Sequence, residues 1–199
     1  MEKPIIVFDL HGVVFKIKLS KLLKQLLKCP KKLKLFINCF NPLLVYRFLK
    51  LLLKKTPMEE TLVRLIKMHP HMKEYEESGL DILSTQSPIY PTVEIIKRLS
   101  RGHPLYIFTN NGERVVERMK KEYPEIFGYF SGCKSCSASE DFLSKPNPEA
   151  FKNYLRIFNQ KPEDIILIDN SPRNIEAAKK LGIKGILFTN QTTLKQLKI

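Results

Sequence analysis

The fold of this chain is decided by the stretch Ile5–Val14, which reads IIVFDLHGVV. Four apolar residues that favour a strand are followed by a single carboxylate, Asp9, and a turn is predicted at Gly12. Burying an ionised carboxylate without partners costs several kcal/mol, so a carboxylate in this place requires either a function or a structural partner. The structural alternative is that Asp9 caps the following turn by accepting hydrogen bonds from backbone N–H groups.

Short apolar runs recur along the chain, and helical patterns lie between them. This alternation is typical of a parallel sheet covered by helices on both faces, which predicts a three-layer α/β fold of Rossmann-like type. Such sheets bind ligands at the carboxyl ends of their strands. Asp9, Thr109 with Asn110, and Asp169 with Asn170 each stand directly after one of the runs, which cover Ile5–Phe8, Leu105–Phe108, Ile165–Ile168 and Gly185–Phe188.

The segment after the first strand has a helical pattern. Leucines at helical spacing, with lysines on the other side, predict one helix over Leu19–Lys28, and a second is predicted over Leu43–Lys55. A third helix is predicted to begin at Thr56, which would act as N-cap with Pro57 at the first position and Glu59 closing a capping box. The predicted domains are an α/β core, residues 1–15 and 88–199, and an inserted all-helical cap, residues 16–87.

The net charge of +14 is concentrated in one part of the chain. Between Leu10 and Met58 there are 12 Lys and Arg residues and no Asp or Glu, whereas the remaining sequence has 22 basic and 20 acidic residues. A basic region can attract nucleic acid, an anionic membrane surface or a phosphorylated substrate, or it can simply be a solvated helical face. The leucines of the predicted lysine-rich helices have two possible environments: they could pack on one another in a small bundle, or they could lie on a membrane surface. No membrane span is predicted, because polar residues interrupt the most apolar stretch, Leu35–Leu53.

The four cysteines do not form a metal or redox motif. Cys133 and Cys136 have C-x-x-C spacing, but Cys29 and Cys39 do not supply the second ligand pair of a zinc site. The small residues around Cys133 predict a strand, whereas thioredoxin-type chemistry places such a pair at the start of a helix. We therefore expect reduced, structural cysteines in a cytoplasmic protein, and the short first apolar run does not fit a signal peptide.

Four signals occur in a fixed order along the chain: the strand ending in Asp9, the strand ending in Thr109, Lys145 before a helix, and the strand ending in Asp169. This order resembles the haloacid dehalogenase superfamily, and the resemblance covers the whole chain. The helical insertion lies where that family has its C1-type cap. The stretches Ser144–Glu149 and Ile168–Asn174 are most similar to the sugar-phosphate branch of the family, which includes glucose-1-phosphate phosphatase-like proteins.

The resemblance implies a phosphatase that acts on a small phosphorylated metabolite. Asp9 would be the nucleophile and form an aspartyl-phosphate, while Thr109 and the backbone N–H of Asn110 would bind phosphoryl oxygens and Lys145 would add positive charge. Mg²⁺ is the implied cofactor, and its implied ligands are Asp9, the main-chain carbonyl of His11, Asp169 and, through a bound water, Asn170. Taken one at a time, Thr109 could instead be a helix N-cap, Lys145 a surface lysine and Asp169 a turn former.

Two positions depart from the family pattern. His11 stands where phosphatases of the family carry an Asp that protonates the leaving group and activates water; histidine can do this work, or it can merely fill the turn. Asn170 replaces a second acidic residue, which reduces the negative charge offered to Mg²⁺. The main alternative is therefore a catalytically weak or inactive member that binds phosphate and docks its basic cap on an anionic membrane, with nucleic acid the less favoured partner. A dehalogenase activity ranks lower, because those members carry an aromatic residue at position 11.

Overall fold

The computed structural model describes residues 3–29, 41–53 and 56–190. Its strands and helices follow one another in the order β1 (Ile5–Phe8), β2 (Phe15–Ile17), α1 (Leu19–Lys28), α2 (Pro42–Leu53), α3 (Met58–Met68), α4 (Glu76–Ser84), β3 (Gln86–Pro88), α5 (Tyr90–Leu99), β4 (Leu105–Gly112), α6 (Glu113–Glu122), α7 (Pro124–Phe127), β5 (Gly132–Cys136), α8 (Pro148–Phe158), β6 (Ile165–Asp169), α9 (Pro172–Lys180) and β7 (Lys184–Leu187). Short 3₁₀ turns cover Pro70–Tyr75, Ala138–Glu140 and Pro162–Asp164.

Five of the strands form one parallel sheet in the order β5-β4-β1-β6-β7. This confirms the predicted α/β fold class. The first strand lies at the centre, and its last residue, Phe8, pairs with Ile107 on one side and with Ile168 on the other. Because the three strands are in register and parallel, the residues that follow them come together at one edge of the sheet.

Both faces of the sheet are covered by helices. Along β1 the side chains alternate: Ile6 and Phe8 belong to a core cluster with Ile96 of α5 and Met119 of α6, whereas Val7 belongs to a second cluster. That second cluster includes aromatic residues of α8, Phe151 and Tyr154, and aliphatic residues of α9. A strand that is apolar on both sides is what a three-layer architecture requires, so the continuous apolar run of β1 follows from its central position.

A two-stranded antiparallel ribbon, β2 with β3, connects the sheet to the inserted helices. Phe15 pairs with Pro88 and Ile17 pairs with Gln86, and the Ile89 N–H donates to the carbonyl of Val14 at 2.8 Å. The sequence analysis did not predict this ribbon. The predicted boundaries between core and cap, at residues 15/16 and 87/88, fall inside it, and the division into two domains stays a prediction.

The helices of the insertion lie where the sequence predicts them, but the N-terminal cap of α3 differs from the prediction. The predicted capping box is wrong: Pro57 is the N-cap of α3, and no side chain caps that helix end. The Thr56 hydroxyl instead donates to the Leu51 carbonyl at 3.2 Å and bonds the Thr61 hydroxyl at 2.8 Å. Residues 30–40, with Cys39, and Lys55, the predicted end of the second helix, lie outside the described residues.

The inserted helices pack through only part of their apolar surface. Leu44, Leu51 and Leu65 form a small cluster between α2 and α3, as expected for a bundle, whereas α1 has no buried residue in the described part of the chain. Within residues 3–29, 41–53 and 56–190, no helix is both long and apolar enough to cross a membrane.

Glu59 fastens the insertion to the core. The side chain of this α3 residue is only 4% exposed; it accepts hydrogen bonds from Arg114 Nε at 2.9 Å and from the backbone N–H of Val115 at 3.2 Å, at the N-terminus of α6. A carboxylate is favourable at this end of a helix dipole. A Cβ atom on Gly112 would lie 2.0 Å from Glu59 Oε2, so the contact requires glycine at that position.

The substitution Gly112→Ala therefore tests this contact. The added methyl group must displace the buried Glu59 carboxylate, and we expect the free energy of unfolding in urea to fall by about 1–3 kcal/mol. Gly102→Ala is the matched control, because the nearest atoms to its added methyl group lie 3.8 Å or more away, and it should change stability by less than about 0.5 kcal/mol. Equal stability of the two variants would contradict the close packing of Glu59 against Gly112.

Candidate active site

A cleft of about 360 Å³ opens at the carboxyl edge of the sheet. The core contributes Asp9, His11, Thr109, Lys145 and Asn170 to its walls, so most residues predicted for the site meet there. The inserted segment contributes Thr56, Pro57 and Met58, which directly precede the buried Glu59. Five further residues line the cleft and were not predicted for the site: Asn111, Pro146, Ser171, Arg173 and Asn174. Nothing in the sequence distinguishes Arg173, the charged residue among them, from the other arginines of the chain.

Lys145 lies at the floor of the cleft. Its side chain is buried, and Nζ lies 2.9 Å from Asp9 Oδ1 and 2.6 Å from Asp169 Oδ2, while it also donates to the Phe108 carbonyl at 2.6 Å. The alternative that Lys145 is a surface lysine is therefore wrong. One ammonium group joins the ends of three parallel strands and partly neutralises two buried carboxylates.

The electrostatics of this triad follow from burial and mutual charge. Burial raises the pKa of the Asp9 carboxyl above its ordinary value; the charge of Lys145 opposes this effect and the charge of Asp169 adds to it. Burial alone would lower the pKa of Lys145, but the two carboxylates outweigh it, so the pKa of Lys145 lies above its ordinary value. The lysine is thus held as a cation, and its charge favours an ionised Asp9.

The position of Lys145 is fixed through its backbone. The side-chain amide of Asn110 donates from Nδ2 to the Lys145 carbonyl at 2.7 Å and accepts from the Lys145 N–H at 2.9 Å. The family resemblance implies a role for Asn110 only through its own backbone N–H. A side-chain amide can both donate to and accept from the backbone of one residue, so Asn110 holds the loop that contains Lys145 against the end of β4.

Asp169 is fully buried at the end of β6 and is held by several donors. Its Oδ1 accepts from the backbone N–H of Ser171 at 2.8 Å, and the Asn174 side-chain amide lies 3.1 Å from Oδ1 and 2.9 Å from Oδ2. The turn-forming alternative for Asp169 is therefore correct in part, since the bond to Ser171 closes the turn before α9. The bond to Lys145 adds a contact across the cleft floor.

The loops after β1 and β6 are in direct contact. Gly12 has a φ of +83°, which favours glycine, and a Cβ atom there would lie 2.2 Å from Asn170 Nδ2. The missing side chain of Gly12 thus leaves room for the Asn170 amide beside the loop that contains His11. The four positions implied as metal ligands are therefore brought to one place.

Thr109 is buried, and its hydroxyl accepts a hydrogen bond from the Asn111 N–H at 3.1 Å. It is not a helix N-cap, because the N-cap of α6 is Gly112. The hydroxyl proton is not used in that bond and is available to an acceptor in the cleft.

His11 is exposed at the cleft, and its Nδ1 lies 3.0 Å from Oε1 of Gln86. Gln86 is only 3% exposed and belongs to β3, on the ribbon that connects the insertion to the core. Gln86 is not predictable as a site residue, because nothing in the sequence shows that residues 75 positions apart meet at this ribbon.

The cysteine pair lies on β5, where the small-residue pattern predicted a strand. Cys133 and Cys136 are both free thiols, and burial raises the pKa of each to about 12. A thiol with such a pKa is almost entirely protonated at neutral pH, which fits the expected structural role.

A second cleft, of about 380 Å³, lies between α2 and α3 and is lined by four basic residues. Arg64 is paired with Glu60 at 2.6 Å, whereas Arg47, Lys50 and Lys67 have no carboxylate partner among the described residues. Arg47 and Lys50 belong to the basic stretch identified in the sequence, whereas Arg64 and Lys67 lie beyond it. Docking of this surface on an anionic membrane stays a prediction.

The parallel sheet, the helical insertion and the triad at the strand ends define a haloacid dehalogenase-type hydrolase. Residues 4–182 match the family of haloacid dehalogenase-like hydrolases, and the chain belongs to that family.

The chain is similar to two curated relatives and to two solved structures. The chain is 24% identical over 144 residues to a probable pseudouridine-5'-phosphatase of Drosophila melanogaster, covering 68% of this chain and 62% of that protein. It is 22% identical over 107 residues to an uncharacterised protein of Haemophilus influenzae, covering 54% of this chain and 52% of that protein. The chain thus spans less than two thirds of the length of these curated relatives.

The structural neighbours include both dehalogenases and other family members. An L-2-haloacid dehalogenase of Xanthobacter autotrophicus, with chloropropionic acid covalently bound, superimposes with a TM-score of 0.64 at 13% identity, covering 98% of this chain and 82% of that one. A family enzyme of Bacteroides thetaiotaomicron, an aspartate-to-alanine variant in complex with magnesium and inorganic phosphate, gives 0.60 at 18% identity and covers 94% of each chain. At these identities the likeness shows the fold alone.

Replacing Lys145 by Met tests the central triad. The variant leaves two buried carboxylates without their cation, so we expect the free energy of unfolding in EDTA-containing buffer to fall by about 3–5 kcal/mol. Adding Asp9→Asn to the Lys145→Met variant should recover part of this loss, because it removes the repulsion between the carboxylates. Lys152→Met, on the exposed face of α8 beside Glu149, is the control and should cost less than about 0.5 kcal/mol. A loss no larger than the control's would refute the arrangement.

Proposed function

We propose that this protein is a Mg²⁺-dependent phosphatase of a small phosphorylated metabolite, and that Asp9 is its nucleophile. The observation that carries the proposal is the Lys145 ammonium group between Asp9 and Asp169, at the floor of a cleft that Thr56–Met58 of the insertion partly cover. Such a site has a fixed carboxylate, a fixed positive charge and a limited volume. Phosphoryl transfer requires these features, because it depends mainly on positioning and on charge stabilisation.

The comparisons support a phosphatase without identifying its substrate. A relative in the fly bears the name of a phosphatase, and a structural neighbour binds magnesium together with inorganic phosphate. Dehalogenases are also among the neighbours. The imidazole of His11 favours the phosphatase over the dehalogenase, since it supplies a proton-transfer group at a position where dehalogenases carry an aromatic side chain.

In the first step, a carboxylate oxygen of Asp9 attacks phosphorus, an O–P bond forms, and the bond from phosphorus to the leaving oxygen breaks. The Thr109 hydroxyl and the backbone N–H of Asn110 would donate to phosphoryl oxygens. The ammonium group of Lys145 would offset their negative charge, and this stabilisation grows as the transition state forms. Because Asn110 also fixes the backbone of Lys145, the same residue serves two parts of the site.

His11 would move the protons. In the first step its Nε2–H donates to the leaving oxygen, and in the second its Nε2 accepts a proton from water as the water oxygen bonds phosphorus and the O–P bond to Asp9 breaks. The carboxylate of Asp9 is thereby regenerated and inorganic phosphate is released. The cycle begins and ends with the same protonation states, so it needs no other co-substrate than water.

The donor atoms at the strand ends suit Mg²⁺, which prefers oxygen ligands. Asp9 and Asp169 would hold the ion with the main-chain carbonyl of His11, and the Asn170 amide, placed beside Gly12, would bind a coordinated water. When bound, the ion offsets the repulsion between carboxylate and phosphate. The described residues contain no group of three His, Cys, Asp or Glu side chains suited to a metal, so the site would rely on two carboxylates and on neutral oxygens.

The walls of the cleft limit the substrate to a small molecule. Its volume of about 360 Å³ lies at the lower end of the range for small-molecule sites. Thr56, Pro57 and Met58 present a mixed polar and apolar surface, and Arg173 adds positive charge at the wall. We therefore infer a compact phosphate monoester rather than a phosphorylated protein.

The nucleophile and the proton-transfer residue can be tested separately with p-nitrophenyl phosphate in MgCl₂. Asp9→Asn should reduce turnover to the level of the buffer blank, because no O–P bond to the enzyme can form. His11→Ala should lower kcat by about 100-fold, a typical contribution of general acid–base catalysis, while His11→Asp should match or exceed the wild type. Lys152→Met serves as the unaffected control. A wild type inactive on a broad phosphate panel, together with no gain from His11→Asp, would refute the phosphatase.

Binding of Mg²⁺ can be tested without turnover. Asn170→Asp adds a carboxylate beside the implied site, so isothermal titration of the chelator-treated protein with MgCl₂ should give a Kd about tenfold lower than the wild type's, since affinity rises with ligand charge. Asn159→Asp makes the same charge change at the exposed end of α8 and should leave the Kd unchanged. An equal Kd in both variants would argue against a metal at this position.

A further inference from the structure

We propose that Gln86 is a positioning residue for His11, and that it holds the imidazole in the tautomer with its proton on Nδ1. This inference rests on the proposed function, because it explains how Nε2 is reserved for proton exchange in the cleft. It assigns a function to a buried glutamine 75 residues away in the sequence.

The first observation is the contact itself. His11 Nδ1 lies 3.0 Å from Gln86 Oε1, which is an ordinary hydrogen-bond distance. Gln86 is only 3% exposed, so its side-chain amide has lost most of its contact with water and must find partners in the protein. His11, by contrast, is exposed and lines the cleft.

The second observation fixes the orientation of the Gln86 amide. Its Nε2 donates to the backbone carbonyl of Leu83 at 3.3 Å. Exchanging the amide nitrogen and oxygen would place two oxygens against each other at Leu83, so the oxygen faces His11. An amide oxygen can only accept a hydrogen bond. His11 must therefore carry a proton on Nδ1.

The third observation is that the backbone of Gln86 is held in place. In the ribbon, Gln86 pairs with Ile17, and its carbonyl accepts a hydrogen bond from the hydroxyl of Tyr123 at 3.1 Å. The backbone of Gln86 is thus tied both to β2 and to the C-terminal end of α6. Because the Gln86 backbone and both polar atoms of its side chain are hydrogen-bonded, the amide can hold the exposed His11 ring in one orientation.

The consequence concerns the second ring nitrogen. Among the described residues, Nε2 of His11 has no hydrogen-bond partner. With Nδ1–H bonded to Gln86, Nε2 is the ring nitrogen left to exchange a proton in the cleft. The bond to Gln86 therefore supports both halves of the proposed cycle, and it does so without adding a charge to the site.

A carboxylate at position 11 would not need this support. The two oxygens of an Asp are equivalent, whereas an imidazole has two distinct nitrogens and the wrong tautomer presents an N–H where an acceptor is needed. The requirement for Gln86 should thus exist only when residue 11 is histidine. This dependence separates a positioning role from a merely structural one.

The tautomer can be measured on the full chain labelled with ¹⁵N-histidine, in spectra recorded at alkaline pH where the ring signals no longer change. The His11→Asn variant identifies the His11 signals among the four histidines. We expect the wild-type ring to be protonated on Nδ1 and not on Nε2. Gln86→Glu keeps an acceptor oxygen and should preserve this pattern, whereas the isosteric Gln86→Met should shift the ring to a mixture of tautomers.

Kinetics with p-nitrophenyl phosphate in MgCl₂ provide the second readout. Gln86→Met should lower kcat about tenfold and change KM less than about twofold, and it should have no such effect when combined with His11→Asp. A wild-type ring protonated on Nε2, an unchanged tautomer in Gln86→Met, or an equal loss of kcat in both backgrounds would overturn the proposal. If Gln86→Met does not fold, the wild-type spectrum still decides.

The two hypotheses fail in different ways. If the wild type has no phosphatase activity while its His11 ring carries the proton on Nδ1, the proposed function fails and the support by Gln86 stands. If turnover is present but the ring is protonated on Nε2, the phosphatase stands and the support by Gln86 fails.

Discussion

The interaction on which the rest of the structure depends is the contact of one buried ammonium group with two buried carboxylates. The parallel sheet places Asp9 and Asp169 at the ends of neighbouring strands, where they would repel each other in a medium of low dielectric constant. Lys145 makes this arrangement tolerable because its Nζ reaches an oxygen of each. The loop that carries Lys145 must then be held at the sheet edge, and Asn110 at the end of β4 holds it by its backbone.

The side chains that orient this triad are neutral amides, so they do not change the net charge at the floor of the cleft. Asn110, Asn170 and Asn174 contact the triad or its loops through amide groups, which orient the charges without changing their sum. With both carboxylates ionised, the triad carries one net negative charge. The cleft floor is therefore anionic, and the oxygen donors at the strand ends are of the kind that a divalent metal ion prefers.

The sequence could predict the core of the fold because its strands are buried on both faces and therefore appear as unbroken apolar runs. The residues after these runs could be placed at one edge for the same reason. The ribbon could not be predicted, since strands of three residues are stabilised by pairing across about 70 positions and not by any local pattern. The capping box at Thr56 was wrong because both of its members have other partners: Thr56 bonds Leu51, five residues earlier, and Glu59 makes a tertiary contact with the N-terminus of α6.

The insertion does more than cover the cleft, because its residues also contact side chains of the site. It leaves the core at β2 and returns at β3, so the strand on which the chain comes back carries the amide that contacts His11. The chain entering α3 places Thr56–Met58 in the cleft wall, while Glu59, the next residue, is fixed at α6. Histidine at position 11 and glutamine at position 86 therefore form one unit with the connection between core and insertion. His11 is thus contacted from the returning strand of the insertion, whereas Asp9, Lys145 and Asp169 contact one another at the edge of the core sheet.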